Sequence, residues 1–213
     1  MANLCEKTLT ACIAAECENP LFAGVDSEAL IFNFNQIASV TYSQTNGNIA
    51  SGITMKTYET TSEDPTTHEP VTVDVAYCGY TCQQLGNKPF DGSQTEMVEG
   101  TYGNKFTNTI QLAVTDNGPD VAHDIIDNFA NGKFAVILKN DYVHSNGDNK
   151  YQMYGFKKGL KCTAITREVW GDNESAWIVT LTEENAPQSA VFFYSTDEST
   201  TDTAYENLKC SCA

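Results

Sequence analysis

Lys133-Phe-Ala-Val-Ile-Leu-Lys139 places five apolar residues in a row between two lysines. An amphipathic strand alternates, and an amphipathic helix repeats in threes and fours. A continuous run this short predicts a strand buried on both faces. Such a strand needs an apolar layer above and below it, so it belongs at the centre of a sandwich or barrel. Just upstream, Val121, Ala122, Ile125, Ile126 and Phe129 recur at helical spacing, with Asp120, His123, Asp124 and Asp127 on the other face. Pro119 suits a first helical position and Gly132 a stop, so one helix is predicted over about residues 119–130. Downstream, Asn140–Asn149 reads as a polar tip, after which Lys150–Phe156 returns antiparallel. Leu160–Trp170 and Ala176–Glu183 read as a further hairpin across Gly171–Ser175.

The N-terminal half is also β-rich. In Ala29–Ile37, Leu30, Phe32 and Phe34 alternate with Asn33 and Asn35, the pattern of a half-buried strand. Ala38–Ser43 and Ile49–Tyr58 flank Thr45-Asn-Gly-Asn48, whose Asn-Gly step predicts a tight turn with positive φ. Glu59–Pro70 breaks every period and reads as a long exposed loop, after which Val71–Tyr77 alternates and rejoins the sheet. Gly79–Gly103 is irregular, and Phe106–Thr115 is again a strand. The expected fold is mainly β, an antiparallel β-sandwich or barrel-like domain with one flanking α-helix. Residues 1–28 are expected to form an N-terminal arm and 29–195 the β-rich domain with loop 59–70. Residues 196–213, rich in Ser, Thr and Asp, are expected to be a solvated tail whose removal leaves the core folded.

Charge narrows the functional classes. The 213 residues carry 28 Asp and Glu against 12 Lys and Arg, a net charge of −16, and Arg167 is the only arginine. Specific nucleic-acid binding rests on a basic footprint and bidentate arginines, so this balance argues against it. The charge is also partitioned. Residues 133–167 hold seven basic residues (Lys133, Lys139, Lys150, Lys157, Lys158, Lys161, Arg167) and two acidic ones (Asp141, Asp148), a net +5 that leaves −21 for the rest. A chain polarised in this way can pair head to tail with copies of itself; the alternative is a solvated basic face. No window reaches the ~20 apolar residues of a membrane helix, and Met1–Lys7 lacks an apolar signal core, so folding in a cytoplasm is expected.

Residue chemistry points to no conventional enzyme. His123-Asp124 lies on the polar helix face, His68 and His144 sit in separate loops, and no nucleophile elbow, phosphate loop or zinc-protease motif is present. Glu183-Glu184 and Asp197-Glu198 are neighbours, but adjacent strand residues point to opposite faces. Asn146-Gly-Asp-Asn149 lacks the alternating ligands of a calcium loop, and Asn173-Glu-Ser175 is a glycosylation sequon that matters only on a secretory route. Cys5, Cys12, Cys17, Cys78, Cys82, Cys162, Cys210 and Cys212 form no paired zinc spacing. Three readings stay open for them: buried free thiols, disulfides formed after release from a cell, or a structural metal. No catalytic, cofactor-binding or metal-binding residue is assigned.

The order of a strand, the helix Pro119–Gly132 and Lys133–Lys139, continued by Tyr151–Leu160 and Ala176–Thr182, resembles the helix-plus-strand module of bacteriophage tail tube proteins. The likeness covers roughly residues 100–190 and is greatest to virion proteins of phages infecting gut bacteria. It implies a structural virion protein whose copies join their sheets into a hexameric ring. Rings stack into a tube through which genomic DNA passes without specific binding, alongside other virion proteins. It also implies a long hairpin loop that reaches the neighbouring ring, to which Glu59–Pro70 corresponds. Eight cysteines depart from the family's pattern. The alternative from another class is a head-decoration or other virion surface protein that binds capsid or host glycan. Its site would lie in the Gly79–Gly103 loops around Tyr80, Phe90 and Tyr102.

Overall fold

The computed structural model describes residues 24–63, 70–84, 88–101, 103–116, 118–169 and 175–210. The N-terminal half holds β1 (Val25–Asn33), β2 (Ile37–Tyr42), β3 (Ile49–Met55), β4 (Thr57–Glu63), β5 (Pro70–Ala76), β6 (Tyr80–Gln83), β7 (Gln94–Val98) and β8 (Lys105–Val114). A helix spans residues 119–131. Then follow β9 (Lys133–Asn140), β10 (Tyr151–Tyr154), β11 (Leu160–Arg167), β12 (Trp177–Ala186), β13 (Val191–Phe193) and a second helix, Glu198–Glu206. The fold is mainly β and sandwich-like, as the strand pattern predicts. Among the described residues one large sheet contains eleven strands and a separate two-stranded sheet contains β4 and β5. Every strand-to-strand pairing among the described residues is antiparallel except β13 with β3, and the isolated Gly79–Lys209 bridge is also parallel.

The apolar run at 134–138 is the hinge of this architecture. One edge of β9 pairs with β1 from Phe134 to Asn140; the other edge is shared by β11 at Lys133 and Phe134 and by β10 from Val136 to Lys139. The sheet therefore forks at β9. One arm runs through β10, β13, β3 and β2, and the other through β11, β12, β8 and β7. Alternation divides the side chains between two cores. Phe134, Val136 and Leu138 pack with Ala29 and Ile31 against Ile110, Leu112, Val179 and Leu181. Ala135 and Ile137 pack with Leu30 and Phe32 against Met153, Phe193 and Tyr205. Covered on both faces, β9 has no polar position between its flanking lysines, which accounts for the continuous run.

The first helix starts at Pro119 and ends before Gly132, with Ile126 and Phe129 turned into the core. Its middle, Ala122–Ile126, is a π-helical segment in which the Asp127 N–H reaches back to the Ala122 carbonyl. Gly132 ends it without adopting positive φ (φ −83°). A Cβ there would stand 2.1 Å from the Phe134 ring, so this glycine serves close approach of chain to core. The Asn46-Gly47 hairpin also departs from expectation. The connection runs over six residues, Gly47 is not among the positive-φ positions, and Asn46 accepts from the Asn48 and Ile49 amides in its place.

Residues 196–210 are not a solvated tail. Asp197 caps the helix by accepting from the Thr200 N–H at 2.8 Å, and the buried Thr201 hydroxyl donates to the Asp197 carbonyl at 2.6 Å. Tyr205 is buried and stacks on Tyr151 with centroids 4.3 Å apart. Leu208 closes the same core, Gly79 bridges to Lys209, and a disulfide joins Cys78 to Cys210. One tyrosine, one leucine and a covalent tie thus anchor a segment whose composition reads as soluble.

Candidate functional site

The expected exposed loop at 59–70 is, within its described residues, the flank of a hairpin; residues 64–69 lie outside the described residues. β4 and β5 pair from Thr57–Ala76 to Glu63–Pro70 and with no strand of the large sheet, so Val71–Tyr77 does not rejoin it. Directly opposed residues share a face, so Tyr58 with Val75, Thr60 with Val73 and Ser62 with Val71 line one side. Tyr77 extends that stripe, its ring 4.7 Å from that of Tyr58. Tyr58, Val71 and Val73 are each at least 40% exposed. The opposite face carries Glu59, Thr61, Thr72 and Asp74. A two-stranded hairpin with an uncovered apolar face is marginal by itself in water, and contiguous exposed apolar surface marks an interaction site.

A second surface has the opposite charge. β11 pairs with β12 along its length but with β9 only at Leu160 and Lys161, so among the described residues no strand pairs with its outer edge from Cys162 to Arg167. Lys157, Lys158, Lys161 and Arg167 surround this edge, and among the described residues none of the four meets a carboxylate within ion-pair distance. Lys157 hydrogen-bonds Gln188 and stands over the Tyr42 ring, and Arg167 lies over Trp177. By contrast Lys139 pairs with Asp26 at 2.5 Å, and Lys150 bridges Glu198 and Asp202. Part of the basic region is therefore neutralised inside the chain, whereas among the described residues those around the β11 edge, and Lys133 over the Phe34 ring, are not.

The residues singled out for chemistry do not converge. His123 and Asp124 bond at 2.7 Å with both side chains on the surface, and Asp124 raises the imidazole pKa by that hydrogen bond and by its charge. His144 bonds Asp148 at 3.1 Å; His68 lies outside the described residues. Asn146, Asp148 and Asn149 turn their polar groups onto one another and onto their own loop, the work of a turn. Glu183 and Glu184 do face opposite ways: Glu183 is buried and accepts from Asn108, the Gly155 N–H and the Lys158 N–H, whereas Glu184 is exposed. Asp197 is spent as a helix cap. No group of three metal-ligating side chains occurs among the described residues.

Of the cysteines, Cys78 and Cys210 are bonded, which overturns the free-thiol reading for that pair. Cys82 and Cys162 are half-buried free thiols, and burial raises the pKa of both. Cys5, Cys12, Cys17 and Cys212 lie outside the described residues, as do Asn173 and Tyr102. Tyr80 is exposed and Phe90 is buried in the core, so these two do not share an accessible site. Among the described residues no helix is long and apolar enough to cross a membrane. Comparison with protein-family models, with characterised proteins and with solved structures finds no match.

Proposed function

We propose that this chain is a structural virion subunit that assembles with copies of itself into rings stacked as a phage tail tube, through which DNA passes without specific binding. The hairpin β4–β5 carries this reading. It stands apart from the large sheet with an uncovered apolar stripe, and its sequence from Thr57 to Ala76 holds five acidic residues and no Lys or Arg. The basic edge at Lys157–Arg167, with four basic residues and no acidic one, offers a complement on another copy. A contact between two different surfaces is heterologous: it closes into a ring or propagates as a filament. An acidic surface elsewhere suits a conduit, because it keeps a passing polyanion from binding.

Native mass measurement with negative-stain imaging of the purified full chain tests the proposal. Six-fold stoichiometry and ring or tube density are expected. Monomers or trimers without rings would instead favour the head-decoration or surface role.

A further inference from the structure

A cleft of about 1200 Å³ opens on the side of the sandwich away from the C-terminal helix, between the first helix and the ends of β1, β6 and β8. Ligand pockets commonly span ~300–1,000 Å³, so the space suffices for a small molecule or part of a chain-like one. Its floor is the margin of one core, formed by Ile31, Leu112, Phe129 and Phe134, each less than a tenth exposed. One wall is the turn after β1, with Asn33, Asn35 and Gln36; the other is a helix stripe with Asp124, Asn128 and Asn131. Tyr80 stands over the opening. Register pairs it with Ile31, which puts both on the face that lines the cleft, and the residue is 56% exposed.

The polar groups specify the ligand chemistry. Asn33 Nδ2 donates to Gln36 Oε1 at 3.1 Å, so the pair presents one unused acceptor and one unused donor side by side. Asn128 spends its amide on the Asp124 carbonyl and keeps its own carbonyl oxygen. Groups that both donate and accept, set about an apolar floor, match neighbouring hydroxyls on a ring with an apolar face. An exposed tyrosine supplies the flat surface for that face. Asp116, Asp124 and Asp127 line the cleft against one lysine, Lys133, whose ammonium is held over the Phe34 ring at 4.4 Å. That balance repels anions. A purely apolar ligand would bury the amides without partners, at a cost. The π-helical segment at Ala122–Ile126 borders the site, and such segments recur at functional sites.

We infer that this cleft binds a neutral saccharide, with Tyr80 stacked on a sugar ring and Asn33, Gln36, Asn128 and Asn131 bonding its hydroxyls. The cleft is separate from the hairpin and the β11 edge, so the inference stands whether or not the chain forms rings. Saturation-transfer NMR and calorimetry on the full chain test it, with maltohexaose, chitotriose and mannopentaose as neutral probes and 3′-sialyllactose as the anionic one. At least one neutral probe is expected to bind, and Tyr80→Ala is expected to weaken it by about tenfold or more. Val169→Ala, an exposed change outside the cleft lining, should leave affinity unchanged. Asn33→Ala provides a second variant that does not touch the aromatic platform, and it too should weaken binding. The inference is overturned if no neutral probe binds at about 10 mM. It also fails if sialyllactose binds as tightly, or if both cleft variants bind as the parent does.

Discussion

At Tyr42 a hydroxyl is buried with no hydrogen-bond partner among the described residues, and burial together with the Glu183 charge pushes its pKa up to about 12. Leaving a polar group unmatched costs free energy that removal of the group recovers. Tyr42→Phe is therefore expected to be neutral or stabilising by about 1 kcal/mol in urea unfolding, because the ring that Lys157 covers is retained. A loss of similar size would mean that the hydroxyl is satisfied after all. Asp26 illustrates the charged case. The Lys139 hydrogen bond and charge hold its carboxyl below the ordinary 3.8 despite partial burial. A depressed folded pKa contributes stability above the unfolded value and loses it as pH falls through the folded one. Asp26→Asn should thus lower Tm near neutrality and flatten the acid limb of a Tm–pH profile below about pH 4. A parallel downward shift at every pH would assign the loss to packing. Glu183 shows how far such details are legible in sequence. Alternation alone put Glu183 and Glu184 on opposite faces, but the turn at Gly155–Gly159 that supplies two of its amide donors becomes visible only in three dimensions.

Among the elements, legibility followed how locally each one is specified. The β9 run and the first helix carry their own signals: five unbroken apolar residues in one, and Pro119, helical spacing and Gly132 in the other. The Glu198–Glu206 helix carries few. Its residues are Ser, Thr, Asp and Glu with Ala204 and the buried Tyr205, and its anchors, Tyr151 and Lys150, like Cys78 that ties down the following Cys210, lie far away in the chain. The β4 strand of the β4–β5 hairpin carries a weak signal for a related reason: Thr and Glu on β4 show no apolar alternation, because β4's apolar partners are supplied by β5. The Cys78–Cys210 bond spans 132 positions, and cross-linking so long a loop removes much conformational freedom from the unfolded chain. Reduction, or Cys210→Ser, should lower unfolding stability by about 4 kcal/mol. Truncation after Ser195 should cost more, since it also uncovers the core beneath Tyr205 and Leu208. Equal urea midpoints with and without reductant, under conditions where the free thiols of Cys78 and Cys210 are detected, would show that noncovalent packing alone fixes the segment.

Across the whole molecule the net charge of −16 matters less than where opposite charges remain unspent. Asp26, Glu198 and Asp202 already answer Lys139 and Lys150, so intramolecular pairing ties the start of β1 and the Glu198–Glu206 helix to the sheet. Lys157, Lys158, Lys161 and Arg167 meet no carboxylate among the described residues, and the sequence along 57–76 holds five acidic residues and no Lys or Arg. If these surfaces meet, assembly has two separable components. The charged one is screened by salt, with a Debye length of about 8 Å at physiological ionic strength. The apolar stripe of Tyr58, Val71 and Val73 is insensitive to screening and grows stronger in kosmotropic salts. The double variant Lys158→Glu, Lys161→Glu reverses two exposed charges while the Lys158 N–H that holds Glu183 stays in place. Its monomer should unfold within about 0.5 kcal/mol of the parent, yet assemble poorly at low salt and recover as sodium chloride rises. Val73→Asp should block assembly at every salt concentration, since it places a carboxylate in the stripe. Sedimentation velocity across a salt series reads both variants. Assembly of the double variant indistinguishable from the parent at low salt would remove the basic edge from the contact, and assembly of Val73→Asp would remove the hairpin.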